Sequence, residues 1–337
     1  MRSIPSVIWA FLVVLAVILV LLGLAIRYLM FWTPLKSYHG PWVPLSSEEI
    51  LVRDALQRDV RFLAEEIGDR NWLVYPGLLQ ATEWIEASFA QAGYRVRRLG
   101  FDVRGRRVDN LEVEISGRTR PEEIVVVGAH YDSVPGCPAA NDNGSGVAAL
   151  LALARALRNA QPERTIRLVA FANEEPPFYR TDEMGSVVYA RECRRREERI
   201  VAMLSLETIG FYRDEKGSQM YPPPFSLFYP AEGNFIAFVG NLSSASLVRK
   251  CLATFRREVK FPSEGAALPE FITGIGWSDH WSFWKQGYPA IMVTDTALFR
   301  YPYYHSPKDT YDKLDYDRLA RVTAGIETVV RELIRAR

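Results

Sequence analysis

Histidine is scarce in this chain: only His39, His130, His280 and His305 occur, and three of the four sit inside dense polar motifs. The informative feature is where acids and imidazoles fall relative to apolar runs. After the run IVVVG comes His130-Tyr131-Asp132, and after IRLVAF comes Asn173-Glu174-Glu175. After IVAMLSL comes Glu207, and after AIMV and an aromatic-rich loop comes His305. Short β-branched runs of this kind read as strands, and open α/β sheets gather their functional groups at the carboxyl ends of strands. Asp142, ahead of an Ala- and Leu-rich segment, can join that edge. Each residue alone has an ordinary reading: Asp142 as a helix cap, a histidine as surface polarity, Glu174 and Glu175 as solvated loop acids. Together those readings fail. Carboxylates packed at one sheet edge repel unless cations compensate them, and a mixed imidazole and carboxylate set without thiolate suits zinc, with cobalt or manganese as substitutes.

The elements that must position these groups alternate along the chain. Ser46-Ser47-Glu48-Glu49 reads as a capping box opening a helix, with Ile50, Leu56, Val60, Leu63 and Ile67 at helical spacing. A second helix is expected from Pro76 to Gly93. Strands are expected at Val108–Ile115, Ile124–Val127, Ile166–Phe171, Ile200–Leu206, Phe235–Val239 and Ala290–Val293. Helices are expected at Gly146–Leu157, Gly185–Arg196 and Asp317–Leu333. Ile124-Val125-Val126-Val127, unbroken and β-branched, is the pattern of a strand buried on both faces. The fold class is therefore α/β: a three-layer sandwich with a mixed, mostly parallel sheet and helices on both faces.

With 41 Lys and Arg against 40 Asp and Glu the net charge is +1, so composition gives no reason to expect a nucleic-acid partner. Cys137, Cys193 and Cys251 form no close pair and suggest neither a disulfide framework nor a zinc ribbon. The first residues differ from all that follows. Val7 to Ile26 reads VIWAFLVVLAVILVLLGLAI, uncharged and near the length of a bilayer-crossing helix. The reading is a single-pass transmembrane anchor with flanks over 1–32, a linker over 33–45 and one domain over 46–337, that domain being extracytoplasmic. A cleaved signal peptide is the rival for the first segment.

The stretches VVVGAHYDS, AANDNGSGVAALLALARAL, FANEEPPF, SDHWSFW and YYHSPKDTYDKLDY resemble the zinc aminopeptidase family, whose relatives include glutamate carboxypeptidase II, glutaminyl cyclase and the transferrin receptor ectodomain. The resemblance runs from Val108 onward. It implies two Zn2+ ions, with His130 on one, Glu175 and His305 on the other and Asp142 bridging both. Glu207 takes the place of the remaining carboxylate ligand, where relatives commonly carry Asp. By the same resemblance Asp132 orients His130, Glu174 is the general base, and a cis peptide bond follows Asp142. Asp279 and His280 are expected beside the site, contacting substrate or Glu174. Tyr304, with Trp277, Trp281, Trp284 and Tyr303, is expected near a substrate pocket or in the core. The activity implied is peptide hydrolysis by a metal-activated water, as in an aminopeptidase, with a peptide as the partner.

Three rivals stand beside that reading. A deacylase or carboxypeptidase group shares the His130-to-Pro135 pattern but carries a lid domain for which the stretch from Glu207 to His305 leaves no room. A glutaminyl-cyclase-type acyltransferase uses one zinc. A non-enzymatic receptor-like ectodomain is countered by the retention of every ligand type and of Glu174.

Overall fold

The computed structural model describes residues 6–335, with backbone only for Ser6, Val7, Ala25, Ile26 and Leu29. The helices are α1 (Ser6–Ile26), α2 (Ser47–Arg61), α3 (Tyr75–Gln91), α4 (Gly146–Leu157), α5 (Gly185–Arg195), α6 (Ala245–Glu258), α7 (His280–Lys285), α8 (Ala297–Arg300) and α9 (Tyr316–Leu333). The strands are β1 (Arg97–Val103), β2 (Arg106–Ile115), β3 (Arg120–His130), β4 (Arg164–Phe171), β5 (Arg199–Glu207), β6 (Ile236–Gly240), β7 (Ser263–Ala267) and β8 (Ala290–Thr294). They form one sheet in the order β1-β2-β4-β3-β5-β8-β6-β7. The central strands β4, β3, β5 and β8 run parallel, as do β6 and β7. The β1/β2, β2/β4 and β6/β8 pairs are antiparallel.

The IVVV run explains the layering. Val125 and Val127 enter one core with α2, α3, α4, α6 and α9, while Ile124 and Val126 enter the other with α5 and α7. Alternate side chains of a strand point to opposite faces, so a strand covered on both sides needs apolar residues at every position. β3 has β4 on one side and β5 on the other, each returning through its own crossover. This is the topological switch point at which an α/β sheet opens a crevice beyond its strand ends.

Local signals hold. Ser46 Oγ accepts from Glu49 N at 3.2 Å while Ser46 N donates to Glu49 Oε2 at 2.8 Å, completing the capping box of α2. Asp315 caps α9 by accepting from Arg318 N at 2.9 Å. The start of α4 must lie against the end of β5, since a Cβ on Gly146 would stand 2.7 Å from the Leu206 carbonyl oxygen. Among the named helices and strands, five add to the expected set: β1, β7, α6 and the short α7 and α8.

The amino-terminal segment departs from expectation. Among the described residues no helix is long and apolar enough to cross a membrane. Helix α1 exposes its apolar residues, among them Trp9, Phe11, Ile18 and Leu24. Its described side chains end at Leu24, however, and Val7, Ala25 and Ile26 of the expected anchor lie outside them. Residues 33–45 form neither helix nor strand and lie along the domain, where Ser37 Oγ accepts from Ser263 N at 2.9 Å and Arg321 Nη2 donates to Val43 O at 3.0 Å.

Candidate metal centre

The carboxyl ends of β3, β4 and β5 bring His130, Glu174, Glu175 and Glu207 to one place, and the turn before α4 adds Asp142. His130 Nε2 lies 3.3 Å from Asp142 Oδ1 and 3.3 Å from Glu207 Oε2. His305 Nε2 lies 3.0 Å from Asp142 Oδ2 and 3.4 Å from Glu175 Oε2. Each oxygen of Asp142 thus faces a different imidazole, in two groups that share this residue. Tetrahedral ligands at zinc distances of about 2.0–2.1 Å stand about 3.3 Å from one another, which is the spacing found here. The donors are imidazole nitrogens and carboxylate oxygens, and Glu175 Oε1 is buried without a hydrogen-bond partner. The residues therefore fit divalent transition-metal binding.

Electrostatics point the same way. Burial, reinforced by Glu175 and Glu207, holds Glu174 well above the usual carboxylate range. Burial and the charge of Asp142 push Glu175 up to about 8. Burial also raises Glu207. Against burial, hydrogen bonding from His130 and His305 keeps Asp142 below its ordinary value. Burial opposes charge on His305, yet Asp142 and Glu175 raise it to about 10. The site gathers more negative charge than its own cations relieve, and a bound divalent ion would supply the missing charge.

Around these groups is a layer of clamps. Asp132 lies 3.3 Å from His130 Nδ1, but that nitrogen has no aligned hydrogen-bond partner. Asp132 instead accepts the backbone N–H of Glu174 at Oδ1 and of Glu175 at Oδ2, both at 3.0 Å. It fixes the two glutamates as a unit. Asn143 straddles Glu207, donating to Leu206 O at 2.8 Å and accepting from Thr208 N at 3.0 Å. Ser278 Oγ donates to Glu207 Oε2 at 2.7 Å, and this contact holds the longer glutamate side chain beside His130. Asp309 accepts from Asn141 N at 2.8 Å, Asp142 N at 3.1 Å and Tyr301 Oη at 2.6 Å. The Asp142–Asn143 peptide is cis. Asn173, Thr208 and His305 all have positive φ although none is glycine, a concentration of rare backbone geometry that marks sites held by their surroundings.

Not every expected contact forms. His280 is buried at the start of α7 with Nε2 2.7 Å from Ile275 O and its ring edge-on to Trp284, so it turns away from Glu174. Burial pushes it down to about 4, leaving it neutral. Asp279 is buried with neither carboxylate oxygen hydrogen-bonded, and burial together with Glu207 raises it to about 7. The Tyr304 ring stacks on His305 at 3.9 Å. Trp277 and Tyr304 line an adjoining apolar pocket, whereas Trp281 and Trp284 pack in the second core. The three cysteines are free and buried.

One further residue acts from a distance in sequence. Arg70 is wholly buried, and its guanidinium donates to the carbonyls of Tyr131 (2.8 Å), Pro138 (2.6 Å), Ala139 (2.8 Å), Gly68 (3.0 Å) and Leu63 (3.3 Å). It ties both ends of the segment between His130 and Asp142. Arg70→Met is expected to destabilise the fold by about 3 kcal/mol, since charged hydrogen bonds contribute about 1.5–3 kcal/mol and stranded carbonyls add to the loss. It should also weaken zinc binding about 10- to 100-fold, as does loss of other groups that orient ligands. Denaturant midpoints and zinc titration of the folded variant check both, and unchanged values would remove this role.

The family model described as Peptidase family M28 matches residues 110–330. The uncharacterized protein YfbL of Escherichia coli (strain K12) is 36% identical over 312 residues, 89% of this chain and 95% of YfbL. Aminopeptidase YwaD of Bacillus subtilis (strain 168) is 30% identical over 225 residues, 62% of this chain and 42% of YwaD. Among solved structures, BSAP, a zinc aminopeptidase from Bacillus subtilis, superposes with a TM-score of 0.68 at 16% identity, covering 85% of this chain and 95% of BSAP. Fimbriiglobus ruber glutaminyl cyclase gives 0.61 at 20% identity, covering 87% and 97%. At these identities the structural matches establish the fold alone.

Proposed function

The chain belongs to peptidase family M28, and from that premise we propose that it is a two-zinc aminopeptidase acting on peptides with a free amino terminus. The observation that carries the proposal is the pair of ligand groups sharing Asp142, with Glu174 in the same cluster. His130, Asp142 and Glu207 would hold one ion and Asp142, Glu175 and His305 the other. When bound, zinc supplies polarisation of the scissile carbonyl and lowers the pKa of a water from 15.7 to about 7.

The protein's own part is proton handling and alignment. Glu174 takes the proton of the attacking water and returns it to the leaving amine. Its elevated proton affinity, produced by burial, suits a group that must hold a proton between those two steps. Asp132 keeps Glu174 in register with Glu175 by gripping both backbone N–H groups.

The test is a substrate screen on the zinc-loaded chain. Hydrolysis of aminoacyl amides but not of their N-blocked forms is expected. Release of ammonia from an N-terminal glutaminyl peptide, with ring closure and no peptide hydrolysis, would replace this reading with that of a cyclase.

Location at a membrane is proposed separately. The apolar side chains that α1 exposes call for an apolar cover. The full chain should stay in the membrane pellet through high-salt and alkaline washes and leave it with detergent. Release by salt alone would refute this.

A further inference from the structure

An apolar pocket of about 120 Å³ opens beside the metal centre, with Glu207 and Tyr304 at its inner end. Val239, Ala266 and Met292 floor it on the sheet, and Phe225 and Tyr229 close its outer side. An apolar cavity of about 150 Å³ takes a benzene ring, so this somewhat smaller pocket, open on one side, is of the order of a single large apolar side chain. The outer wall does not stand alone. The Phe31 ring packs on Phe225 at 6.0 Å and Tyr229 at 6.3 Å, and stacks on Phe228 at 4.6 Å.

The segment carrying Phe31 is fastened to the domain on both sides of it. Arg249 of α6 donates to Tyr28 O at 2.9 Å and lies over the rings of Tyr28 and Trp32. Arg256 of α6 donates to Thr33 Oγ1 at 2.9 Å and Leu35 O at 3.0 Å, and pairs at 3.6 Å with Glu264, which lines the pocket. These amino-terminal residues lie outside the stretch matched by the family model.

We infer that the segment around Phe31 is a specificity element, whose aromatic buttress on Phe225 and Tyr229 sizes the pocket for one large apolar side chain on the substrate's amino-terminal residue. This rests on the aminopeptidase reading for the identity of the occupant, while the buttress itself does not. The pocket begins at a metal-ligating carboxylate, so its occupant is the side chain nearest the scissile bond. Removing the Phe31 ring lets Phe225 and Tyr229 relax outward, and a looser wall grips a large side chain less while leaving a methyl group unaffected.

The test compares the full chain with Phe31→Ala and Phe31→Leu on Phe, Leu and Ala aminoacyl amides. Loss of an apolar contact of this size is worth about tenfold in discrimination. Phe31→Ala should therefore raise KM for the Phe and Leu substrates about tenfold, leave kcat nearly unchanged and alter the Ala substrate less than twofold. Phe31→Leu should fall between. An equal change on all three substrates, or none, overturns the inference. Calorimetric binding of phenylethylamine and ethylamine gives a readout free of turnover. Selective weakening of phenylethylamine in Phe31→Ala supports the buttress even if no amide is hydrolysed, a result that would overturn the aminopeptidase reading instead. Equal affinities in the parent chain and both variants overturn the buttress whatever the hydrolysis data show.

Discussion

Glu174→Gln is expected to keep its full zinc content and to lose turnover by about 100- to 10,000-fold, the usual contribution of a general acid–base group. The substitution preserves shape and burial, and the grip on this position is on the backbone: Asp132 accepts from Glu174 N, a bond a glutamine makes equally well. What disappears is a carboxylate able to take and return a proton. Because the two ligand groups that share Asp142 form without Glu174, zinc analysis of the variant should match that of the parent. Loss of zinc together with activity would make Glu174 a ligand instead, and full activity would remove it from the chemistry.

Asp142→Ala should do more damage to the site. Its two oxygens face the two imidazoles at 3.3 Å and 3.0 Å, so its removal takes a ligand from both groups at once. Zinc content after dialysis should fall close to zero, with activity reduced at least as far as in Glu174→Gln. Asp309→Asn is the informative companion, since Asp309 holds the backbone on either side of Asn141 without facing an imidazole. It should weaken zinc by about 10- to 100-fold, within the range for groups that orient ligands. Retention of tightly bound zinc by Asp142→Ala would break the shared-ligand arrangement.

The ligands are legible in the sequence because they stand at the ends of strands that the sequence marks clearly. β3, β4 and β5 are mainly β-branched or apolar in their buried stretches, interrupted by Glu123, Arg167 and Ser205, and the imidazole and acids at or just past their carboxyl ends, His130, Glu174, Glu175 and Glu207, are the ones that meet. The clamps are illegible for a physical reason. Asn143 and Asp309 act on backbone groups, and Arg70 reaches carbonyls as much as 69 positions away, so no local period or spacing records them. β7 reads SEGAA, without a β-branched residue, and is a strand because β6 supplies its ladder. β1 lies on the sheet edge and reads RRLGFDV, where Leu99, Phe101 and Val103 alternate with exposed Arg98, Gly100 and Asp102, a period of two that identifies the strand once it is traced. α6 does carry a helical stripe of Leu247, Val248, Cys251, Leu252 and Phe255, and that pattern identifies it once the spacing is traced.

His280 shows the opposite case. In the motif Ser278-Asp279-His280 all three residues look suited to a polar site, yet only Ser278 hydrogen-bonds a proposed ligand. The ring of His280 is taken up by the Ile275 carbonyl and Trp284 as α7 begins. Motif membership identified the neighbourhood, and side-chain direction decided the contact.

The central claim is tested most directly by restoring zinc to metal-stripped protein while following hydrolysis of an aminoacyl amide. The account predicts that activity is absent after chelation, returns with added zinc and reaches its plateau at two equivalents per chain. Undiminished hydrolysis in the stripped protein, or a plateau at one equivalent with the second ion unbound, would contradict it.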